Sequence, residues 1–171
     1  MRTSVPVTPI VSLREITAST VRAVTDLSVA PKQDDYVASN AVSIAQAHFH
    51  PEAWIRAVCA GADLVGFVMV RDETLLKPEL PRPTLSLWRF MIDHRFQKFG
   101  YGRKALALVV DYARSRPGIE SMQTSYVEGP NEPREFYLSF GFHPTGEIKS
   151  NGEVCLTLEF ASIDRDAHSH D

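Results

Sequence analysis

Two glycines stand just before the most regular helical pattern of the chain, in residues 97–103 (QKFGYGR). Gly100 and Gly102 can adopt positive φ angles and let a ligand come close to the backbone. The first amide N–H groups of a helix have no intrahelical partner and lie at the positive end of its dipole. A strand, a glycine loop and a helix in this order suit an anion such as a pyrophosphate, and Arg103 and Lys104 add positive charge. The segment therefore predicts an anion-binding loop.

The glycine pattern does not fit the two familiar nucleotide-binding loops. A Walker A loop needs G-x-x-x-x-G-K-[ST], which the chain does not contain. The dinucleotide fingerprint G-x-G-x-x-G/A is met in letters, because position 105 is alanine, but it should open a series of parallel strands. The hydrophobic pattern before residue 97 predicts antiparallel pairs instead. A G-x-G alone is also typical of an ordinary tight turn, so the loop needs support from elsewhere in the chain.

The elements that position this loop follow from hydrophobic periodicity and turn residues. Strands are predicted at residues 11–16, 54–59, 64–70, 85–92, 121–127, 145–149 and 153–160. Helices are predicted at residues 17–27, 34–48, 102–116 and 131–140, the last ending at Gly141. The strand–helix–strand unit from 85 to 127 implies parallel pairing in an otherwise mostly antiparallel sheet. We expect an α+β sandwich of about six to seven strands with helices on both faces.

Composition indicates one globular domain. The 171 residues carry 18 Lys and Arg against 21 Asp and Glu, a formal charge of −3, and 44% are hydrophobic. This profile excludes disordered, collagen-like and coiled-coil chains, and its charge balance argues against nucleic-acid binding. The longest apolar stretch, 64–70, is far shorter than the ~20 residues of a membrane span. We expect a domain at 11–160 between a flexible arm at 1–10 and a tail at 161–171.

The cysteines and histidines predict no metal site. Cys59 and Cys155 are too few for a disulfide framework or a zinc site, and both fall in predicted strands. His48, His50 and His94 show no ligand spacing. The amino terminus lacks the continuous apolar segment of an export signal, so a cytoplasmic location is expected.

Two segments resemble the GNAT N-acetyltransferase superfamily. Residues 91–102 (MIDHRFQKFGYG) resemble its acetyl-CoA loop, whose signature is [Q/R]-x-x-G-x-[G/A], and residues 135–142 (EFYLSFGF) resemble its later helix, which carries a tyrosine and ends in Gly-Phe. The predicted element order is also similar over residues 11–160. Similarity to bacterial diamine (spermine/spermidine) acetyltransferases lies in three shorter segments, 36–40 (YVASN), 66–69 (GFVM) and 87–93 (LWRFMID).

One position departs from the family loop, which often has a glycine where this chain has Lys98. The lysine can still offer its backbone N–H if its φ is negative, and its ammonium could meet a CoA phosphate. We expect altered acetyl-CoA affinity rather than lost binding.

The resemblance implies acetyl transfer from a thioester to an amine. A primary amine of pKa ~10.4 must lose a proton before it attacks, and the departing thiolate of pKa ~8.5 must gain one. The family places a tyrosine beside the sulfur, and Tyr137 matches it; the alternative is that Tyr137 only packs with Phe136 and Phe140. Glu128 and Asp93 each follow a strand and could act as the base through water, or could be solvated loop carboxylates.

The resemblance also implies the acetyl-CoA contacts. Backbone groups of Met91 and Ile92 would hold the pantetheine arm like an added strand, and an N–H there would polarise the thioester carbonyl. Asn131 either caps its own helix or contacts CoA. The implied contacts are Met91, Ile92, Gln97, Lys98, Phe99, Gly100, Tyr101, Gly102, Arg103, Lys104, Asn131 and Tyr137.

The acceptor side is expected between the first two helices, at Asp34, Asp35, Tyr36 and Asn40, where GNAT acceptors bind. Carboxylates there would hold the ammonium groups of a polyamine that do not react, although paired aspartates also suit a helix N-terminus. The leading hypothesis is N-acetylation of a spermidine- or spermine-type amine in a ternary complex. The alternatives are acetylation of a protein or peptide amino terminus, and a non-catalytic acyl-CoA-binding domain. The resemblance also implies a homodimer.

Overall fold

The computed structural model describes residues 8–36 and 38–161, with every side chain except those of residues 34–36. The strands are β1 Val11–Arg14, β2 Ala53–Ala60, β3 Asp63–Asp72, β4 Leu85–Ile92, β5 Ser121–Tyr126, β6 His143–Ile148 and β7 Val154–Glu159. The helices are α1 Val21–Thr25, α2 Asn40–His48, α3 Tyr101–Ser115 and α4 Arg134–Phe140. The strands form one seven-stranded sheet in the order β1-β2-β3-β4-β5-β7-β6.

Strand pairing in this sheet is mixed, as the sequence predicts. Every neighbouring pair is antiparallel except β4 and β5, which run parallel on either side of the α3 crossover. β4 and β5 share a single register pair, Ser86 with Gln123. Among the described residues no further register pair joins the two strands, which leaves a gap between them in the middle of the sheet.

Apolar side chains cover both faces of the sheet. On one face, Leu106 and Val109 of α3 pack against Met122 and Leu156, and all four are fully buried. On the other face, α1 and α2 cover a second cluster that includes Phe67. The amphipathic stripe of α3 is long and regular, so its predicted position is correct to within one residue. The expected α+β class with helices on both faces is confirmed.

The first helix is shorter than the hydrophobic pattern predicts. α1 begins at Val21 rather than at Thr17, because hydroxyl groups fold the chain before it into a turn. The Thr17 amide donates to the Thr20 hydroxyl at 2.9 Å, and the Thr17 hydroxyl lies 2.9 Å from that of Ser19. Such local side-chain hydrogen bonds compete with helix formation.

The starts of α2 and α4 also differ from prediction. α2 begins at Asn40 because the Ser39 hydroxyl accepts a hydrogen bond from the Val42 amide at 3.3 Å, while Pro31–Tyr36 form a separate 3-10 helix. α4 begins after Pro133, so the expectation that Asn131 caps it is wrong. None of the described helices is long and apolar enough to cross a membrane.

Candidate active site

The gap between β4 and β5 opens into a cavity of about 1020 Å³ whose wall takes side chains from both faces of the sheet. We call the part beside α3 and α4 the glycine-loop half; it contains Ile92, Gly100, Gly102 and Tyr137. We call the part on the opposite face the hairpin half; it contains Trp88, Arg89, Ser125, Lys149 and Glu153. Successive strand residues point to opposite faces, which places Ile92 and Arg89 in different halves. The cavity therefore connects the two faces through the sheet.

The glycine loop is fixed to the end of β4. Gly100 precedes α3 with a φ of +80°, and a Cβ there would meet nothing within 4 Å, so the residue is needed for its backbone conformation. The Gln97 side-chain amide donates to the Ile92 carbonyl at 2.9 Å and to Gln33 at 2.8 Å. These bonds hold the first turn of α3 beside the cavity, where its unpaired amides suit a pyrophosphate.

Most of the acetyl-CoA contacts implied by the sequence lie on the cavity wall. The structure brings together Met91, Ile92, Gln97, Lys98, Gly100, Tyr101, Gly102, Arg103, Asn131 and Tyr137. Phe99 and Lys104 are not on the wall; Phe99 is 63% exposed and stacks on Tyr101. Past Ser86, β4 has no further register partner on its β5 side within the described part of the chain, which leaves an edge where an extended arm can add like a strand.

Lys98 has a φ of +69°, so the negative φ on which its predicted amide contact depends is not present. This is the left-handed region that glycine adopts without strain, which fits the glycine of the family loop. Lys98 nevertheless lines the cavity beside the start of α3. Its ammonium is the group that we expect to meet a phosphate.

Lys98→Gly is expected to raise the KM for acetyl-CoA about 3- to 10-fold, because one charge-assisted phosphate contact is lost. Stability should stay within about 1 kcal/mol, since relief of the left-handed strain offsets the flexibility of glycine. Initial rates at increasing salt should show a steeper rise of KM in the unmodified chain than in the variant. Lys77→Gly, at an exposed position away from the cavity, is the control; an equal KM in both variants would exclude Lys98 from phosphate binding.

Tyr137 lies on α4, is 7% exposed, and packs its ring edge-on against Phe136 and Phe142. Burial raises the pKa of Tyr137 to about 12, although a hydrogen bond with Thr124 lowers it in part. A phenol with this pKa is protonated at neutral pH and can donate to a thiolate. The aromatic contacts fix the ring at the wall of the cavity, so packing and a role beside the sulfur are compatible, and that role stays a prediction.

The two carboxylates suggested as bases lie elsewhere. Glu128 is exposed and does not line the cavity. Asp93 is 1% exposed and receives hydrogen bonds from the Ser28 amide at 3.0 Å, the Arg95 amide at 3.0 Å and Arg95 Nε at 2.8 Å. Burial raises the pKa of Asp93, but these bonds outweigh it and lower the pKa to about 2. A carboxylate held in this way is a poor base, and Asp93 instead joins the segment that follows α1 to the end of β4.

Asp93→Asn is expected to reduce stability while leaving kcat within about threefold, because a base in the reaction would contribute 100-fold or more. The folded pKa of about 2 lies below the ordinary 3.8, so Asp93 stabilises the fold above pH 4, and this contribution is lost as the pH falls toward 2. This contribution to the free energy of unfolding amounts to about 2 kcal/mol. Thermal unfolding measured from pH 7 to pH 2 should show a smaller fall of Tm with acidification in Asp93→Asn than in the exposed control Asp111→Asn. A 100-fold fall in kcat would restore Asp93 as the base.

The acceptor residues expected from the sequence are only partly described. The backbone of Asp34, Asp35 and Tyr36 belongs to the 3-10 helix whose Gln33 lines the cavity, but their side chains lie outside the described part of the structure. Asn40 is 2% exposed, and its amide donates to the Val24 carbonyl at 2.8 Å. This bond joins α1 to α2, so we assign Asn40 to the core and omit it from the proposed acceptor contacts.

The hairpin half contains charged residues that sequence patterns do not reveal. The Arg89 guanidinium donates to the Trp88 carbonyl at 2.9 Å, and burial lowers its pKa while nearby Glu153 raises it. Lys149 and Glu153 flank the turn between β6 and β7 and form an ion pair of 2.9 Å. Strand alternation alone predicts that Ser125 and Tyr126 lie on opposite faces of β5. No local sequence pattern indicates that Ser125 contacts the β6–β7 hairpin. In the described residues, no group of three His, Cys, Asp or Glu side chains is arranged to hold a metal ion.

The family model for the acetyltransferase (GNAT) family matches residues 17–142, and the chain belongs to this family. Its co-substrate is accordingly acetyl-CoA, and the glycine loop, the open edge of β4 and the cavity fit that molecule. Like the family, the chain is an acyltransferase that acts on amine-type acceptors.

Known proteins show how the family uses this scaffold. The chain is 28% identical over 156 residues to the spermine/spermidine N(1)-acetyltransferase of Bacillus subtilis, covering 87% of this chain and 98% of that protein. Its fold is similar to that of Arabidopsis thaliana Naa50 bound to a bisubstrate analogue, with a TM-score of 0.62 and 19% identity. The match covers 88% of this chain and 99% of that one. The fold is also similar to that of the aminoglycoside acetyltransferase AAC(6')-Ib in complex with coenzyme A, with a TM-score of 0.68 and 11% identity. This match covers 88% of this chain and 95% of that one. The acceptors in the names of these proteins differ, from spermine and spermidine to aminoglycosides.

Proposed function

We propose that this chain transfers the acetyl group of acetyl-CoA to a primary amine of a diamine or polyamine, directly within a ternary complex. The observation that supports this most is the cavity through the sheet. It joins a glycine loop and a buried tyrosine on one face to a charged half on the other, so both substrates can reach the gap together. The curated relative named for spermine and spermidine favours this acceptor class.

The residues of the glycine-loop half have separate tasks in this proposal. The first turn of α3 and the Lys98 ammonium bind the phosphates. Backbone groups at Met91 and Ile92 bind the pantetheine arm, and an N–H there stabilises the oxyanion that forms when the amine attacks the thioester. Tyr137 then protonates the departing sulfur, which balances the proton that the amine gives up to solvent.

Acidic side chains in the hairpin half suit a cationic acceptor. Three glutamates line the cavity: Glu147 and Glu153 of the β6–β7 hairpin, and Glu73 just after β3. The backbone of Asp34 and Asp35 belongs to the 3-10 helix whose Gln33 lines the cavity, so we keep both residues as proposed acceptor contacts. Carboxylates near a polyamine keep its unreacted nitrogen atoms charged and bound.

Free-thiol release from acetyl-CoA tests the proposal, with spermidine, spermine, 1,4-diaminobutane, lysine and a panel of short peptides as acceptors. Saturable turnover of spermidine, spermine or 1,4-diaminobutane is the expected result. Turnover of peptides alone would support acetylation of protein amino termini instead. Binding of CoA without turnover of any amine would indicate a non-catalytic acyl-CoA-binding domain.

We further propose that the chain works as a homodimer in the cytoplasm, as its resemblance to bacterial diamine acetyltransferases implies. Gel filtration with light scattering tests the assembly, and a monomer mass would contradict it.

A further inference from the structure

A small cluster in the hairpin half already binds a primary ammonium group. The Ser125 hydroxyl donates to Glu153 Oε2 at 2.6 Å. Lys149 Nζ donates to the same carboxylate oxygen at 2.9 Å and to Ser125 Oγ at 2.8 Å. The three side chains line the cavity, and they come from two segments, β5 and the β6–β7 hairpin.

The position of this cluster follows from the sheet register. Ser125 lies two residues beyond Gln123, the last residue of β5 that pairs with β4. Ser125 therefore lies just beyond the point where the gap opens. Its side chain is on the face of the sheet opposite Tyr137. Ser125 pairs with Cys155 of β7, which brings Glu153 alongside. An acceptor that enters from the hairpin half would lie beside this cluster, which lines that part of the cavity.

An isolated hairpin ion pair would not have these features. Exposed pairs contribute little, because water competes for both charges. Here the Glu153 side chain is only 26% exposed and Ser125 contributes a second oxygen to the ammonium. Two oxygens at hydrogen-bond distance from one nitrogen are the contacts that a free alkylammonium group would need.

We propose that Ser125 and Glu153 form the subsite for the acceptor's unreacted ammonium group, and that Lys149 occupies this subsite until the acceptor displaces it. This inference rests on the proposed function, which needs a contact for the ammonium group that does not react. Displacement replaces one primary ammonium by another on the same two oxygens, so few hydrogen bonds are lost. Lys149 is 48% exposed and can move its ammonium into solvent.

The subsite suits the nitrogen that stays charged rather than the one that reacts. A carboxylate stabilises the protonated form of an amine, which is not a nucleophile. One end of a diamine is therefore held at Glu153 while the other end can lose its proton.

The test compares 1,4-diaminobutane and spermidine with butylamine, which lacks a second ammonium. In Glu153→Gln, kcat/KM should fall about 10- to 100-fold for the diamine and spermidine and change less than about threefold for butylamine. Ser125→Ala should have a smaller effect in the same direction. In Lys149→Met, kcat/KM for spermidine should rise about 3- to 10-fold because the internal competitor is gone.

The opposite signs separate this role from a structural one. If the ion pair only stabilised the hairpin, removal of either partner would lower activity and Tm together. Glu79→Gln breaks an exposed pair of 2.6 Å with Lys77 and is the matched control, with no change expected. Similar or absent effects of Glu153→Gln and Lys149→Met on spermidine kinetics would overturn the inference alone. No turnover of any diamine or polyamine by the unmodified chain would overturn the proposed function and this inference with it.

Discussion

Tyr137→Phe is expected to lower kcat by about 100-fold or more, with the Kd for acetyl-CoA unchanged within about twofold. The variant keeps the ring, which packs against Phe136 and Phe142, and loses only the hydroxyl that we propose as the proton donor to sulfur. Pre-steady-state thiol release and acetyl-CoA titration separate the two quantities. Tyr112→Phe removes a hydroxyl that donates to Asp72 at 2.6 Å and is the control, with a loss of stability but not of kcat expected.

The pH profile adds a second test of Tyr137. An acid works only while protonated, so the rate it supports is lost as the pH rises through its pKa. Because burial raises that pKa to about 12, kcat should not decline with an apparent pKa near 10. A decline near pH 10 that Tyr137→Phe abolishes would place the ring in a more polar site than its burial indicates. An unchanged kcat in the variant would remove Tyr137 from the reaction.

Gly66→Ala is expected to destabilise the fold by about 2–3 kcal/mol and to raise the KM for acetyl-CoA. Gly66 of β3 pairs with Ile92, and a Cβ there would overlap the Met91 carbonyl oxygen and lie 2.9 Å from Ile92 Cδ1. Backbone cannot yield as a flexible side chain does, so β4 must shift where the pantetheine arm is expected. Thermal unfolding should show a Tm lower by about 5–10 °C.

Gly102→Ala is the stability control for this change. Its Cβ would meet Ile92 Cγ1 at 3.5 Å, an ordinary contact, and alanine favours the first turn of α3. Its Tm should stay the same or rise slightly. Equal stability of Gly66→Ala and the unmodified chain would mean that β3 and β4 can separate without cost, and would contradict the tight approach at Met91.

The local elements near the glycine loop could be predicted closely. β4 has the predicted bounds, and Gly141 ends α4 with a φ of +117°. These signals lie in neighbouring residues, as hydrophobic period, capping and turn chemistry. The prediction fails at α1, where Thr17 and Thr20 satisfy the backbone in another way. A hydrophobic pattern does not report the competition between these hydroxyl hydrogen bonds and helix formation.

The sequence by itself determined the family motifs, the order of the elements and the glycine loop that precedes α3. Only the tertiary structure decided which side chains share the cavity, because strand register sets those neighbours. Ser125 and Glu153 are 28 residues apart and meet through the pairing of β5 with β7. Asp93 looks like a loop carboxylate in the sequence, yet its contact with Ser28, 65 residues away, makes it structural. Contacts at such separation depend on the whole sheet, and no local period encodes them.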